Sequence, residues 1–452
     1  MDTNPTVVQA KRVKLDEIQC SDRLSNLPDA VLLCILALLP TRDAVATSIL
    51  SKKWKHLWAF VPYLRLDEFE FHERSEFMDF LERALALRSV SSLKGLTLSC
   101  KVLDDASRIN SLITRAISCN LQELSLSLFD TAQPYELPAS VFRCQTLVEI
   151  QLKMSCTLKF PCSICLSSLT ILSLESVTFM DDKSTSDLFS CPSLKELLIK
   201  KCYWKNLNLV SISAPKLKKL IILDGPARGR AVSNVCRVQI KGVNLKLFVY
   251  TGRLLNEYSF FGSSTKHARF YFHHIDDAGL DLVVKHEYNL LNGLSNVHRL
   301  AFSDGFLKDL ACKGELLDRL PTFPNVTRLS VRRVISLNCR VLQMIFEKSP
   351  HLDRISFKRG PRMKISEVLD DLHSCYLARL KTIRIHTFHA SVEDFFILGL
   401  LLKNCVVLKQ ISLRFTHDEM EIEDLERLRT LPRSSKGCGV TLFFSDNRVM
   451  EL

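Results

Sequence analysis

A short phrase, Leu-x-x-Leu-x-Leu, recurs along most of this 452-residue chain. Consecutive copies begin 22 to 29 residues apart, a period typical of solenoid proteins. One unit cannot hide its own leucines, so neighbouring units must stack to form a continuous core. Close copies begin at Leu93, Leu121, Leu147, Leu169, Leu194 and Leu217, and weaker copies at Leu245, Ala268, Val297, Val326, Leu352, Leu380 and Leu408.

The alternation inside the phrase predicts its local structure. Leucines at the fourth and sixth positions alternate with polar residues, which is the pattern of a short strand with one buried face. Stacking about a dozen such strands predicts an α/β fold, an irregular leucine-rich-repeat solenoid with a curved parallel sheet and outer helices and loops. Candidate outer helices cover residues 76–87, 340–348 and 392–403. A β-sandwich is the alternative, but its strands would recur every 8 to 12 residues.

A different pattern stands near the N-terminus, where residues 30–39 are all apolar. Pro28 and Asp29 favour a helix start there, and Pro40 ends it. A helix without a polar face needs cover on several sides, and a unit of about 40 residues buries too little surface to supply it. Part of the cover is therefore expected from another protein.

Other interpretations of this segment were weighed. A signal-peptide core is disfavoured because Asp16, Glu17, Asp22 and Asp29 precede it and no small-residue cleavage pattern follows. A membrane span needs about 20 apolar residues, twice the number present. An ordinary core helix of one large domain stays open as an alternative.

Downstream of Pro40, Thr41 and Ser51 are candidate N-caps of two further short helices, the second with Trp54 and Trp58 on one face. The whole stretch resembles the F-box, which implies docking to a Skp-type adaptor and through it to a cullin scaffold. The resemblance implies a three-helix unit with these adaptor-binding residues: Leu27, Pro28, Val31, Ile35, Leu39, Leu50 and Trp54.

The C-terminal part is similar to the FBD module found behind F-box and leucine-rich repeats in plant proteins. The similarity covers residues 380–385, 392–393, 402–411 and 438–443. The family implies a non-catalytic substrate receptor of a ubiquitin ligase. The predicted domains are a disordered basic leader (1–20), the F-box (21–62), leucine-rich repeats (63–365), an FBD module continuing the array (366–446) and a tail (447–452).

Composition limits the class of protein. With 47% hydrophobic and 24% charged residues, the chain is predicted to be folded rather than disordered. A net charge of +12 favours an acidic partner. Lys11, Arg12 and Lys14 form a basic cluster similar to a nuclear-import signal, so a location in the nucleus or cytoplasm is expected, with a solvated tail as the alternative.

Enzyme and metal motifs were sought in the sequence. It holds no phosphate-binding Gly-rich loop, no His-Glu-x-x-His and no Gly-x-Ser-x-Gly. Sixteen cysteines without a secretory signal indicate a reducing compartment, and the one Cys-x-x-Cys, Cys162 to Cys165, is predicted to serve packing. No catalytic residue, metal, cofactor or membrane contact is expected.

Exposed strand positions in such an array form its concave surface, where solenoid scaffolds usually bind. We expect an apolar step in the middle strands followed by a positive stripe in the late strands, which would bind an acidic or phosphorylated protein segment. A solvated face without a partner is the alternative. A nuclear nucleic-acid-binding protein or a non-ligase interaction scaffold are competing functions, although aromatic residues do not alternate with the basic ones as single-strand binding requires. The predicted substrate-binding residues are Leu198, Lys200, Ile221, Leu223, Arg332, Lys358, Arg384, His386 and Arg414.

Overall fold

A computed structural model describes most of the chain. The described residues are 24, 26–88, 93–131, 134–204, 206–224, 235–272, 280–303, 320–332, 340–361, 377–415, 422–446 and 448–452. The predicted leader (1–20) and import cluster lie outside them.

The fold is organised by one sixteen-stranded sheet in which every neighbouring pair but the last is parallel. Successive strands pair in register, so equivalent phrase positions form columns across the sheet. In sheet order the strands are β1 Tyr63–Asp67, β2 Gly95–Lys101, β3 Glu123–Phe129, β5 Glu149–Met154, β7 Ile171–Glu175, β9 Glu196–Lys200, β12 Lys219–Leu223, β14 Leu247–Gly252, β16 His267–Phe272, β17 Arg299–Phe302, β18 Arg328–Val331, β19 Arg354–Phe357, β20 Thr382–Phe388, β21 Gln410–Phe415, β22 Gly439–Phe443 and β23 Val449–Glu451.

Each predicted copy of the phrase contributes a strand, which confirms the α/β solenoid. One copy was placed in the wrong frame. Ala268 pairs with Phe248, which is the fourth position of its own phrase, so this copy begins at Thr265. Thr265 is buried in the place of the first leucine, and its hydroxyl lies 2.5 Å from Ser263 Oγ. The polar residue in that place hid the frame of this copy.

Helices and short sheets lie in the connections between the main strands. The predicted outer helices are present with nearly the expected ends, at 74–86, 340–347 and 392–404. A three-stranded parallel sheet joins β11 Leu209–Ile212, β13 Arg237–Lys241 and β15 Glu257–Phe261, and two-stranded pairs join β4 Tyr135–Glu136 with β6 Leu158–Lys159 and β8 Thr178–Phe179 with β10 Tyr203–Trp204. The helices of the array are α4 Arg74–Ala86, α5 Ala106–Ile117, α6 Ala139–Arg143, α7 Asp182–Phe189, α8 Leu280–Gly293, α9 Arg340–Glu347, α10 Val392–Asn404 and α11 Ile422–Thr430.

Three short α-helices precede the sheet: α1 Asp29–Ala37, α2 Thr41–Ala46 and α3 Trp54–Leu57, with 3-10 turns at Thr47–Ile49 and Trp58–Phe60. The predicted capping differs. Thr41 begins α2 itself, and its hydroxyl accepts the N–H of Arg65 at 2.8 Å, while α3 begins after Lys53 rather than at Ser51. The hydroxyl of Thr41 therefore joins α2 to the first strand of the sheet.

The C-terminal end of the sheet departs from the parallel pattern. Residues 447–452 were predicted as a tail, but β23 pairs antiparallel with β22 through Val449 and Phe443. Leu452 adds two backbone hydrogen bonds to Val440. The last strand therefore covers the edge that β22 would otherwise expose.

The cysteines divide between core and surface. Cys100, Cys202, Cys236 and Cys405 are buried, and burial raises the pKa of each thiol to about 12. The prediction that Cys162 and Cys165 serve packing is wrong, because both are exposed. Both lie in a surface connection that follows Pro161, and the number and spacing of the cysteines gave no sign of this exposure.

Candidate functional site

The N-terminal helices present aliphatic side chains to solvent. Leu38 is 82% exposed, Ile49 is 89% exposed and Leu50 is 59% exposed, and Val31 of α1 is also exposed. Leu32 and Leu36, on the opposite side of α1, are fully buried. The helix is thus covered on one side by its own chain and left open on the other.

The predicted adaptor-binding residues fall into three groups. Pro28, Val31 and Leu50 are exposed, and the side chains of the half-buried Leu27, Ile35 and Leu39 pack against the core. Trp54 is only 3% exposed. The structure therefore places Trp54 inside this chain, where its large ring anchors α3, and not among the side chains available to a partner.

Leu38 and Ile49 are the most exposed aliphatic residues of these helices and were missing from the prediction. Leu38 is the C-cap of α1, and Ile49 closes the 3-10 turn before Leu50. The uniform apolar run gave no indication of which side faced outward. The sequence signal that could have identified them is their position at the end of a helix or turn, where no following helical turn covers the side chain.

Arg88 connects the N-terminal helices to the repeats. Its guanidinium donates to the carbonyl oxygens of Val61 at 2.6 Å and Trp58 at 3.1 Å, and it lies over the Trp58 ring. The side chain is buried, and burial lowers the pKa of Arg88 to about 10, so the group still carries its charge at neutral pH. Hydrogen bonds to a charged donor hold this junction together.

One face of the sheet carries the buried leucines, and the other face is formed by the third, fifth and seventh positions of each phrase. These side chains alternate with the buried leucines, so they project away from the core. We call this the concave face. Register pairing makes three columns of it, each running from β2 to β22.

In the middle of the concave face, the fifth-position column is aliphatic. Leu198, Ile221 and Val249 stand in register on β9, β12 and β14 and are half-buried. Leu223 lies at the seventh position beside them, whereas Lys200 pairs with Glu175 at 3.0 Å. The predicted apolar step is present, Val249 extends it, and Lys200 is committed to an ion pair.

The predicted cations lie on the late strands, but two of them are held by aromatic rings. Arg332 stacks over Tyr271 with its guanidinium carbon 4.4 Å from the ring centre, and Arg414 lies 5.9 Å from the centre of Phe443. Cation–π contacts of this kind orient the guanidinium without neutralising it.

Lys358 and His386 form a close pair, with Nζ and Nε2 3.2 Å apart. The pKa of His386 is lowered by partial burial and by the charges of Lys358, Arg414 and Arg384. The neutral ring accepts from the Lys358 ammonium, so His386 places a cation at the surface instead of acting as a base.

A column of arginines at the third position was missed by the sequence analysis. Arg299, Arg328 and Arg354 are in-register partners on β17, β18 and β19, so their Cα atoms stand about 4.8 Å apart. Burial, and then Arg299, Arg354 and Arg384, lower the pKa of Arg328. Only positions five and seven were predicted to face outward, although a period of two also places position three on this face.

Charge is divided along the concave face. From β3 to β9 it carries Glu123, Glu149, Glu175 and Glu196, while from β16 to β22 none of the described concave positions holds a carboxylate. The half of the concave face from β16 to β22 is therefore positive, because strand register brings cations from separate repeats together there.

Two further findings concern the described residues only. No helix among them is long and apolar enough to span a bilayer. No group of three or more His, Cys, Asp or Glu side chains within these ranges is arranged to hold a metal ion.

Comparisons with known proteins match both parts of the chain. A family profile of the F-box domain matches residues 24–65, and one described as FBD-associated F-box protein At5g56370, LRR repeats, matches residues 109–240.

Relatives from Arabidopsis thaliana extend the match over most of the chain. The putative F-box/LRR-repeat protein At3g58880 is 30% identical over 377 residues, covering 75% of this chain and 78% of its own. F-box/FBD/LRR-repeat protein At5g56420 is 27% identical over 440 residues, or 92% of this chain and 98% of its own. The similarity thus covers most of the chain, and the profiles place the F-box and part of the repeats within it.

Proposed function

Because this chain belongs to the plant F-box/FBD/LRR-repeat family, we propose that it is the substrate receptor of a Skp/cullin/F-box ubiquitin ligase. The observation that carries the proposal is the exposure of Val31, Leu38, Ile49 and Leu50 on helices that match the F-box profile. Burying each fully would contribute about 1.5 to 3 kcal/mol before the entropy of association is subtracted.

The receptor has two functional parts. The N-terminal helices bind a Skp-type adaptor, and the concave face binds a target protein. The chain then acts without chemistry of its own, by raising the concentration of target lysines near the ligase. We also propose a location in the nucleus, the cytoplasm or both, on the basis of Lys11, Arg12 and Lys14.

Co-purification of the chain with a Skp-type adaptor tests the first part. We expect Ile49→Asp to reduce adaptor retention at least about tenfold, since a carboxylate would be desolvated at the interface. The Leu27→Ala/Pro28→Ala double variant is expected to act in the same direction. The matched control is Ile422→Asp, because Ile422 is 79% exposed at the far end of the array.

Equal retention by wild type and Ile49→Asp would contradict the proposed docking surface. If wild type retains nucleic acid at low salt and no adaptor, the competing function of a nuclear nucleic-acid-binding scaffold applies. Its sign would be affinity that falls steeply with salt.

A further inference from the structure

The cations of the late strands surround a floor of small side chains. Ala301, Ser330 and Ser356 occupy the fifth position on β17, β18 and β19, directly in register. The residues around them are Arg269, Arg299, Arg328, Arg332, Arg354, Lys358 and Arg384. We call this arrangement the basic trough.

Strand geometry sets the size of the trough. From Arg269 on β16 to Arg384 on β20 there are four strand spacings, about 19 Å, and from the third to the seventh position there are about 13 Å. Small floor residues leave room between the longer cationic side chains. The opening therefore suits an extended chain with several charges rather than a single ion.

Among the described residues, Asp353 supplies the one carboxylate within ion-pair distance of the trough cations. Arg354 has Asp353 at 3.6 Å, and Asp353 is itself shared with Lys381 at 3.3 Å. Within the described part of the chain, no carboxylate lies within ion-pair distance of Arg269, Arg299, Arg328 or Arg384. Seven like charges gathered this closely repel one another, and a bound polyanion would relieve that repulsion.

We propose that the basic trough binds a multiply phosphorylated or acidic segment of a target protein, with at least three anionic side chains in a short run. Three phosphoserines carry about −4.5 to −6 charges, comparable in size to the positive charge of the trough. Arg guanidinium groups match phosphate and carboxylate oxygens with two parallel hydrogen bonds. This inference rests on the proposed receptor function and specifies the chemistry of its substrate.

Aliphatic side chains on β9, β12 and β14 extend the proposed peptide-binding surface beyond the trough, toward the N-terminal strands. Leu198, Ile221 and Val249 continue the same fifth-position line that forms the trough floor. From Ile221 to Ser330 there are four strand spacings, about 19 Å, which an extended peptide spans in about five or six residues. The expected segment therefore has an aliphatic group about five residues from its anionic run.

Nucleic acid fits this face less well. Single strands need free aromatic rings on which bases stack. On the described concave positions from β16 to β22, the Tyr and Phe rings are Tyr271 and Phe443, and Arg332 and Arg414 lie over them. Each of these rings therefore has a guanidinium over one face, where a base would otherwise stack.

The test measures peptide binding by fluorescence anisotropy with the full-length chain in complex with its adaptor. The probe carries Leu-Ile-Val, a three-residue Gly/Ser spacer and three phosphoserines, and is used in both sequence orders. Comparators replace the phosphoserines by serine or the aliphatic triplet by serine, and a single-stranded oligonucleotide of equal charge completes the set.

We expect one phosphorylated probe to bind at least about 100-fold more tightly than its serine counterpart, since several charge-assisted hydrogen bonds are lost together. The variant Arg299→Glu/Arg328→Glu/Arg354→Glu should lose at least the same factor. The matched control, Lys183→Glu/Arg237→Glu/Lys241→Glu, removes the same net charge from exposed positions outside the concave face and should change affinity less than threefold.

Adaptor retention separates this inference from the proposed function. A trough variant that keeps the adaptor but loses the phosphopeptide supports the inference, and one that keeps both contradicts it. Equal losses in trough and control variants, or an oligonucleotide bound as tightly as the phosphopeptide, would also overturn it. If the glutamate variant does not fold, Arg299→Gln/Arg328→Gln/Arg354→Gln makes the same test without charge reversal.

Discussion

Among single residues, Asp224 is a carboxylate whose ionisation lowers the stability of the fold. It follows β12, and its Oδ2 accepts the hydroxyl of Tyr250 at 2.5 Å, while that hydroxyl accepts the N–H of Leu254 at 2.8 Å. Burial raises the pKa of Asp224 to about 6, against a smaller opposing effect of the Tyr250 hydrogen bond. The carboxylate is therefore charged at pH 7 at the expense of stability.

We expect Asp224→Asn to stabilise the protein at pH 7.5 by roughly 1 to 3 kcal/mol, because the amide oxygen still accepts from Tyr250 without a buried charge. The sign follows from proton binding. Between pH 3.8 and 6 the folded state binds more protons than the unfolded state, so stability falls as pH rises through that window. Thermal unfolding at pH 7.5 and near pH 4 checks this, and the difference from wild type should shrink at the lower pH.

Asp181 serves as the opposite case. The backbone N–H of Ser184 lowers the pKa of Asp181, which caps α7. Its contribution to stability is therefore present above pH 3.8 and is lost as pH falls below that value.

A stabilisation by Asp224→Asn that did not depend on pH would show that desolvation of the carboxylate is not its cause.

For single residues, the sequence predicted which cations lie on the concave face better than it predicted the residues they contact. It marked Arg332, Arg384 and Arg414 as cations of the concave face, and the structure places them there. It could not show that Arg332 is held by Tyr271, because the two residues meet across the intervening strand β17. Contacts between repeats depend on register, which a linear pattern does not contain.

Among the elements, α10 shows how local chemistry defines a helix. The side chain of Ser391 accepts the N–H of Asp394 at 3.1 Å, and Asp394 accepts the N–H of Ser391 in return, which completes a capping box. Five apolar side chains of α10 are buried behind it. The apolar spacing made this helix predictable from sequence, and the capping box defines where it begins.

We expect Ser391→Ala to cost about 1 kcal/mol of local stability, since it leaves the N–H of Asp394 without its acceptor. Amide hydrogen exchange of residues 393–396 should accelerate roughly fivefold, which is the same free energy expressed as a rate. Ser111→Ala is the matched control, because Ser111 is exposed inside α5, where alanine favours the helix. Unchanged exchange in α10 would mean that tertiary packing alone sets its first turn.

For the molecule as a whole, periodicity predicted the order of the repeats but not how the array is closed. The predicted series of copies left out β1, although Val61, Leu64 and Leu66 stand at the first, fourth and sixth positions of the phrase. β23 carries no copy, because Val449 stands in a segment without the repeated leucines. The N-terminal helices share one continuous apolar core with the repeats, through residues such as Leu32 and Leu64. The C-terminal end is completed by the antiparallel pairing of β23 with β22, which the repeat period cannot indicate.

We expect deletion of residues 447–452 to promote self-association. β22 would then present unpaired N–H and C=O groups along an open edge, which another copy can pair with. Size-exclusion chromatography with light scattering at several concentrations should show a larger mean mass for the deletion variant. Val449→Ser in the full-length chain is the control, because it keeps the backbone pairing, and it should match wild type.

The junction at Arg88 has a geometric consequence. Its guanidinium is hydrogen-bonded to the carbonyl oxygens of Trp58 and Val61 within a shared core, so the N-terminal helices and the sheet are held in a fixed relative orientation. A captured protein would then be offered to the conjugating machinery from a fixed angle. Which of its lysines receive ubiquitin would then depend on how far each lysine lies from the segment bound at the concave face.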